Sequence, residues 1–299
     1  MTKKELERRE KAACYAFKDG NFDKAFEYIL QLIDINSKNI VFRFRRPELY
    51  EIETLNEKKI FLCRPFLYED NGDCKILFNN TELYRYLMLE MKADKYEKVK
   101  GIISPEFDKI MEKAIDENPK MIELKEKIRN EALIACMTEN YSDYMWKNYA
   151  KNFEGICLIY NLREVILSFK EEFGYRIFPV RYVDDREKQE DIRFGVNEYG
   201  KSDDCYENET KKYILSCLTK DKIPYSKEAE WRIFSEYEEL PKDAKGKKFD
   251  FVVKPKGIIM GKNISINPEF EESVNKYSKS EVVKLFTQMD FDSCLKYLN

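Results

Sequence analysis

The chain of 299 residues contains no histidine. That excludes a Ser–His or Cys–His nucleophile pair, a histidine-ligated zinc and an imidazole general base. Acid–base chemistry is left to Asp, Glu, Lys, Tyr or Cys. The eight cysteines contain no C-x-x-C pair and no metal-ligand spacing. They read as free, buried thiols in a reducing compartment, and no metal site is expected. No apolar run approaches the roughly 20 residues of a membrane span. The charged start MTKKELERREK has no apolar signal core. Together these absences indicate a soluble, cytoplasmic protein with no membrane partner. Charge of one sign is also lacking: 53 basic residues against 56 acidic ones leave a net charge of −3. That balance argues against sequence-independent nucleic-acid binding. Richness in Lys, Ile, Asn and Tyr fits a bacterial source.

Tryptophan is scarce, and its two copies mark the densest parts of the chain. Trp146 lies in CMTENYSDYMWKNYAKNFEGICLIY (136–160) and Trp231 in KIPYSKEAEWRIF (222–234). Residues 1–38 read as a helical hairpin of tetratricopeptide type, broken at DGN (19–21), with no second copy. It is a cap on the main domain or a dock for a protein partner. From residue 39 to 299 strands and helices mix without regular βαβ alternation, which predicts an α+β domain of mostly antiparallel sheet. Strands are predicted at 39–45, 58–65, 133–138, 155–160, 176–183, 228–234, 249–254 and 257–261, and in the EVVKLFTQMD segment. Helices are predicted at about 81–100 and 105–132, after Ser142 or Asp143, at 161–169, at 210–218, from Asn267–Pro268 and at the extreme C-terminus. Residues 184–206 form a long loop, a candidate flap.

Strand alternation carries the chemical reading. In KEAEWRIF it puts Glu228, Glu230 and Arg232 on one face and Ala229, Trp231 and Ile233 on the other. In FRFR it puts Arg43 and Arg45 on one face. Two arginines and an E-x-E pair across a common cleft would suit a phosphorylated or pyrophosphorylated ligand, with the carboxylates for ribose hydroxyls or developing charge. The bland alternative is a set of solvated or mutually paired charges. On the first cluster, Met145, Trp146, Tyr149, Ala150 and Phe153 share a helical face, which reads as core, with Gly155 as the C-terminal cap. The other reading of Trp146 and Tyr149 is a stacking wall.

The order of motifs resembles the bacterial domain-of-unknown-function family 2971. The matching pieces are Phe42-Arg43-Phe44-Arg45, then Pro65, Tyr68, Glu69 and Asp70, then Met145, Trp146, Tyr149, Ala150 and Gly155. Val180 and Tyr182 follow, then Lys222, Glu228, Glu230 and Arg232, and last Ile258 and Gly261. Glu69 stands where the family usually has Asn, and Tyr225 where it usually has Trp. A looser resemblance is to the ADP-ribosyltransferase fold, whose early strand carries Arg, a middle strand Ser or Thr, and a late strand E-x-E. It implies Arg43 or Arg45 on a pyrophosphate, Thr138 on the middle strand and Trp146 or Tyr149 on a ring. Glu230 would then sit on the ribose 2′-hydroxyl and Glu228 on the acceptor. NAD would be a substrate, no cofactor being singled out with certainty, in a toxin or phage-defence setting. A non-catalytic module that senses a small ligand on the same face is the alternative.

Overall fold

The structure is a computed structural model that describes residues 27, 29–31, 39–78, 113, 119–168, 175–189, 192–194, 215–235, 240–241 and 243–288. In chain order its main elements are β1 (Ile40–Arg45), α1 (Leu49–Asn56), β2 (Lys59–Cys63), β3 (Leu77–Phe78), α2 (Pro119–Glu131), β4 (Leu133–Thr138) and α3 (Asp143–Tyr149). Then come β5 (Ile156–Asn161), α4 (Leu162–Ser168), β6 (Tyr175–Pro179), β7 (Arg181–Val183), β8 (Arg193–Phe194) and β9 (Thr219–Asp221). The last are α5 (Lys222–Tyr225), β10 (Glu230–Ser235), β11 (Gly246–Asp250), β12 (Gly257–Met260), α6 (Pro268–Glu281) and β13 (Lys284–Thr287). The protein is α+β, as expected. No helix among the described residues is long and apolar enough to cross a membrane.

Among the described residues one nine-stranded sheet organises the fold, in the order β11-β2-β4-β1-β5-β12-β13, with β10 pairing both β4 and β6. All its pairs are antiparallel except β12 with β13. Short parallel pairs join β3 to β8 and β7 to β9. The sheet has a split. β1 meets β4 at Phe42–Thr138, while β2 meets the same strand at Cys63–Ile134. Beyond those points β1 and β2 share no pairing, so a wedge opens between them.

Both faces of the sheet are buried, which is why its strands read as near-continuous apolar runs. On one face Phe42, Phe44, Cys157, Ile159, Ile259 and Phe286 pack with Met145, Trp146 and Ala150 from the α3 segment and with Phe153. On the other, Val41, Ile156, Leu158 and Ile258 pack with Ile52 of α1 and with Phe270, Val274 and Tyr277 of α6. Each fully buried side chain of this size stabilises the fold by roughly 1.5–3 kcal/mol.

Local signals explain the helix starts. The Asn161 carboxamide accepts the Glu164 amide at 3.0 Å and opens α4, and Pro268 occupies the first turn of α6. Several expectations need correction, among them the strand expected at 249–254, which runs at Gly246–Asp250. Strand β10 starts at Glu230, because Ser226–Glu228 form a 3-10 turn and Ala229 is left-handed (φ 45°). The stretch 176–183 divides at Val180 into β6 and β7. Helix α3 ends at Tyr149, and three left-handed residues, Lys151, Asn152 and Phe153, follow. The N-terminal hairpin lies outside the described residues apart from Glu27 and 29–31, which are helical. The predicted helix at 81–100, the terminal helix and most of the 184–206 loop lie outside them too.

Gly155 is not the helix cap that its position implied. It enters β5 against the main chain of β1, where a Cβ would sit 1.9 Å from the Arg45 carbonyl oxygen. Backbone cannot yield as a flexible side chain can. Gly155→Ala is therefore expected to cost about 3 kcal/mol, the upper range for overpacking, read as a lowered urea midpoint. An unchanged midpoint would show that β1 and β5 do not meet this closely.

Candidate functional site

The pairing of β10, β4 and β1 places Glu230 opposite Thr138, and Thr138 opposite Phe42. Residues in one lateral row share a face. Glu230 and Arg232 therefore lie on the Trp146 face of the sheet, beside its apolar cluster. Alternation sends Arg43 and Arg45 through the opposite face. The cleft expected between these arginines and the E-x-E pair is not formed: Arg45 is ion-paired with Glu51 of α1, and Arg43 donates to the Phe61 carbonyl at 3.3 Å. Parity was right for Arg43 with Arg45 and for Glu230 with Arg232; the register between strands decided which face meets which.

Arg232 is the inner pole of the site and is almost fully buried. Its Nη1 donates to Asp73 Oδ1 at 2.8 Å and its Nη2 to Asp73 Oδ2, a fork-on-fork pair. Its Nε donates to Glu230 Oε1 at 2.9 Å and its Nη2 to Glu230 Oε2 at 3.1 Å. Nη1 also reaches the Cys217 carbonyl. Asp73 is held in turn because Arg129 of α2 donates to the Asp70 and Asp73 carbonyls at 2.8 and 2.9 Å.

Lys220 on β9 is the second cation. Its Nζ lies 2.8 Å from Glu228 Oε2, 3.4 Å from Glu230 Oε2 and 3.7 Å from Asp73 Oδ2. The Tyr225 ring stands 4.4 Å from it. So Glu228 and Glu230 do converge, through Lys220 and not through strand parity. The Glu228 main chain is fixed by the Thr138 hydroxyl, which donates to the Glu228 carbonyl and accepts the Asn140 amide at 2.8 Å. Thr138 thus anchors the turn that presents Glu228. The Tyr182 hydroxyl accepts the Glu230 amide at 2.9 Å.

Tyrosines line the outer side. Tyr149 donates to Glu228 Oε1 at 2.6 Å, and Tyr144 donates to the same oxygen at 3.3 Å. Tyr149 is 41% exposed, so it leaves the buried helical face assigned to it and forms the rim of the site. Trp146 has no exposure; it meets Phe44 edge-on and stacks on Phe153. It is core, not a ligand wall. Trp231 is equally buried, faces away from Glu230 and Arg232, and donates from its indole to Glu139.

The electrostatics follow from this packing. Burial alone would raise Asp73 and Glu230, but Arg232 and then Lys220 outweigh it and hold both below the ordinary carboxylate range. Burial would lower Lys220 and Arg232; the surrounding carboxylates hold both above their ordinary values. Burial and the neighbouring Glu228 push the Tyr149 and Tyr144 hydroxyls up, so both stay protonated donors. Lys220, Asp73 and Tyr144 were missed by sequence reasoning. Each sits in a short strand, turn or helix with no charge pattern to single it out.

Residues 145–233 match the model of a family described as a protein of unknown function (DUF2971). This is the family that the order of motifs resembles, and the match covers the part from Met145 to Ile233. The matched stretch contains Tyr149, Tyr182, Lys220, Glu228, Glu230 and Arg232; Asp73 and Thr138 lie before it. No curated protein matches the chain. No solved structure matches it.

Arg232→Met should cost about 3–5 kcal/mol, because it leaves two buried carboxylates without their main cation. Asp73 and Glu230 bind protons more weakly folded than unfolded. Their contribution is therefore complete above the ordinary carboxylate range near pH 4 and lost as pH falls through the folded values. Urea unfolding of the wild type from pH 7 to pH 3 should show that loss, and Arg232→Met should flatten it. Parallel pH profiles would contradict the ion network.

Proposed function

We propose that the chain is an ADP-ribosyltransferase-like enzyme acting on NAD or a related nucleotide, with Glu228 as the group that meets the ligand. The observation that carries this reading is the pair of E-x-E carboxylates converging on buried Lys220 beneath the hydroxyls of Tyr144 and Tyr149. Support also comes from strand order, since the strand that opens with Glu230, the Thr138 strand and the early arginine strand lie side by side. Burying five charges gives no stability advantage over apolar packing, so their retention favours a chemical role.

Roles then follow from position. The two cations and three carboxylates leave the cluster one negative charge in excess, which favours a cationic transition state. The bond from ribose C1′ to the nicotinamide nitrogen breaks, and its electron pair leaves with nicotinamide. The acceptor oxygen bonds C1′, and its proton passes to Glu228. Glu230, tied to Arg232 and Lys220, positions the cluster. Tyr149 occupies the place of a donating ribose hydroxyl. Exposed Lys227, 3.9 Å over the Tyr144 ring, and half-exposed Lys222 take over the phosphate role expected of Arg43 and Arg45.

One observation favours the second reading, a non-catalytic module that binds the same ligand: the oxygens of Asp73 and Glu230 are all bonded within the protein already. In that reading residues 1–38 dock a protein partner.

Nicotinamide release from NAD by the purified full chain, with and without bacterial lysate as acceptor, separates the two. The enzyme reading expects release by the wild type and a loss of about 10²–10⁴-fold in Glu228→Gln, assayed below that variant's melting temperature, which the loss of a buried partner of Lys220 lowers. Calorimetric binding of NAD without release under any condition would replace it with the second reading.

A further inference from the structure

A second buried charge cluster lies on the opposite face of the sheet, and the site described above makes no use of it. Arg43 and Arg45 leave β1 on the same side as Tyr160 of β5, the strand paired with β1. Glu51, from α1, closes the group. Arg43 is 6% exposed and Tyr160 is 1% exposed. The Nε of Arg43, the Nε of Arg45 and the Tyr160 hydroxyl are all buried without a hydrogen-bond partner. These groups are electrostatic neighbours: Arg45, Glu51 and Tyr160 all act on Arg43.

Two guanidinium groups and one carboxylate leave a buried excess of one positive charge. Buried donors are nearly always satisfied, and an unpaired buried cation is the most costly exception. Burial and the neighbouring Arg45 both disfavour the charge on Arg43. A water molecule could accept from one donor, but it would leave the charge in place. An anion answers both. Arg43 spans the wedge between β1 and β2 to reach the Phe61 carbonyl, so its guanidinium lies there. Arg45 is the arginine of the group that meets solvent, its side chain being 22% exposed.

We propose that this wedge is an anion site that takes a small oxyanion between Arg43 and Arg45, with the Tyr160 hydroxyl as a third donor. A guanidinium is a planar fork matched to the oxygens of a carboxylate or a phosphate, so the ligand class is one those two share. Glu51 stays on Arg45 and limits the preference to a singly charged ligand. The site is independent of the Lys220 cluster and of the reading built on it.

Thermal unfolding of the full chain tests this, with inorganic phosphate or acetate added at constant ionic strength set by chloride. The wild type should show a saturable rise in melting temperature with one of the two, and the stronger arm identifies phosphate or carboxylate as the ligand. Tyr160→Phe, which removes only the third donor, should weaken the apparent affinity several-fold, and Arg43→Gln should abolish it. Glu228→Gln should leave it unchanged. If Arg43→Gln does not fold, Tyr160→Phe decides alone. No saturable rise, an unaltered affinity in Tyr160→Phe, or loss of the effect in Glu228→Gln would each overturn the proposal.

Discussion

The Lys220 ammonium, buried among Asp73, Glu228 and Glu230, is the interaction on which the site depends. It joins the turn carrying Asp73, strand β9, the 3-10 turn carrying Glu228 and the start of β10. Each burial of an ion costs several kcal/mol even after relaxation. A pair about 4 Å apart returns about 4 kcal/mol at the effective dielectric of a protein edge. One partner does not suffice. Three carboxylates around Lys220, with Arg232 on the far side, make the balance possible, and losing any one member leaves the others buried and unmatched.

Around this cluster other arginines hold main-chain carbonyls and the Thr219 hydroxyl. Arg129 fixes the Asp73 turn through two carbonyls. Arg186 donates to the Thr219 carbonyl at 3.0 Å and the Lys75 carbonyl at 2.7 Å. Arg181 grips the Thr219 hydroxyl at 3.0 Å. These contacts surround Lys220 on its own strand. They convert short segments with little core of their own into a rigid floor, and a charge placed on such a floor keeps its geometry when a ligand arrives.

Much of this was legible in the sequence, and the limits have physical causes. Most strands of the sheet were readable from apolar runs and alternation, and Glu230 and Arg232 were correctly placed on one face of β10. Glu228 was not, because a single left-handed residue, Ala229, breaks the alternation that parity assumes. Arg43 and Arg45 do share a face, yet alternation within β1 says nothing about which neighbour it pairs with or in what register. Helical spacing put Tyr149 on the core face while the resemblance put it at a ligand ring; it is the last residue of α3 and turns outward to Glu228. Asp73 and Lys220 had no signal at all, since a long-range ion contact leaves no local pattern. The two tryptophans mark the site only indirectly: Trp146 packs beside it and Trp231 behind it, both fully buried.

The central claim is that Lys220 remains a buried cation held by three carboxylates, against the tendency of burial to neutralise it. Nitrogen-detected NMR titration of the lysine ammonium groups in the full-length chain tests it most directly. Lys220 should stay protonated as pH rises past about 10.4, the value of an unperturbed lysine, while exposed lysines lose their protons there. A Lys220 signal that titrates with the exposed lysines, or below them, would contradict the account.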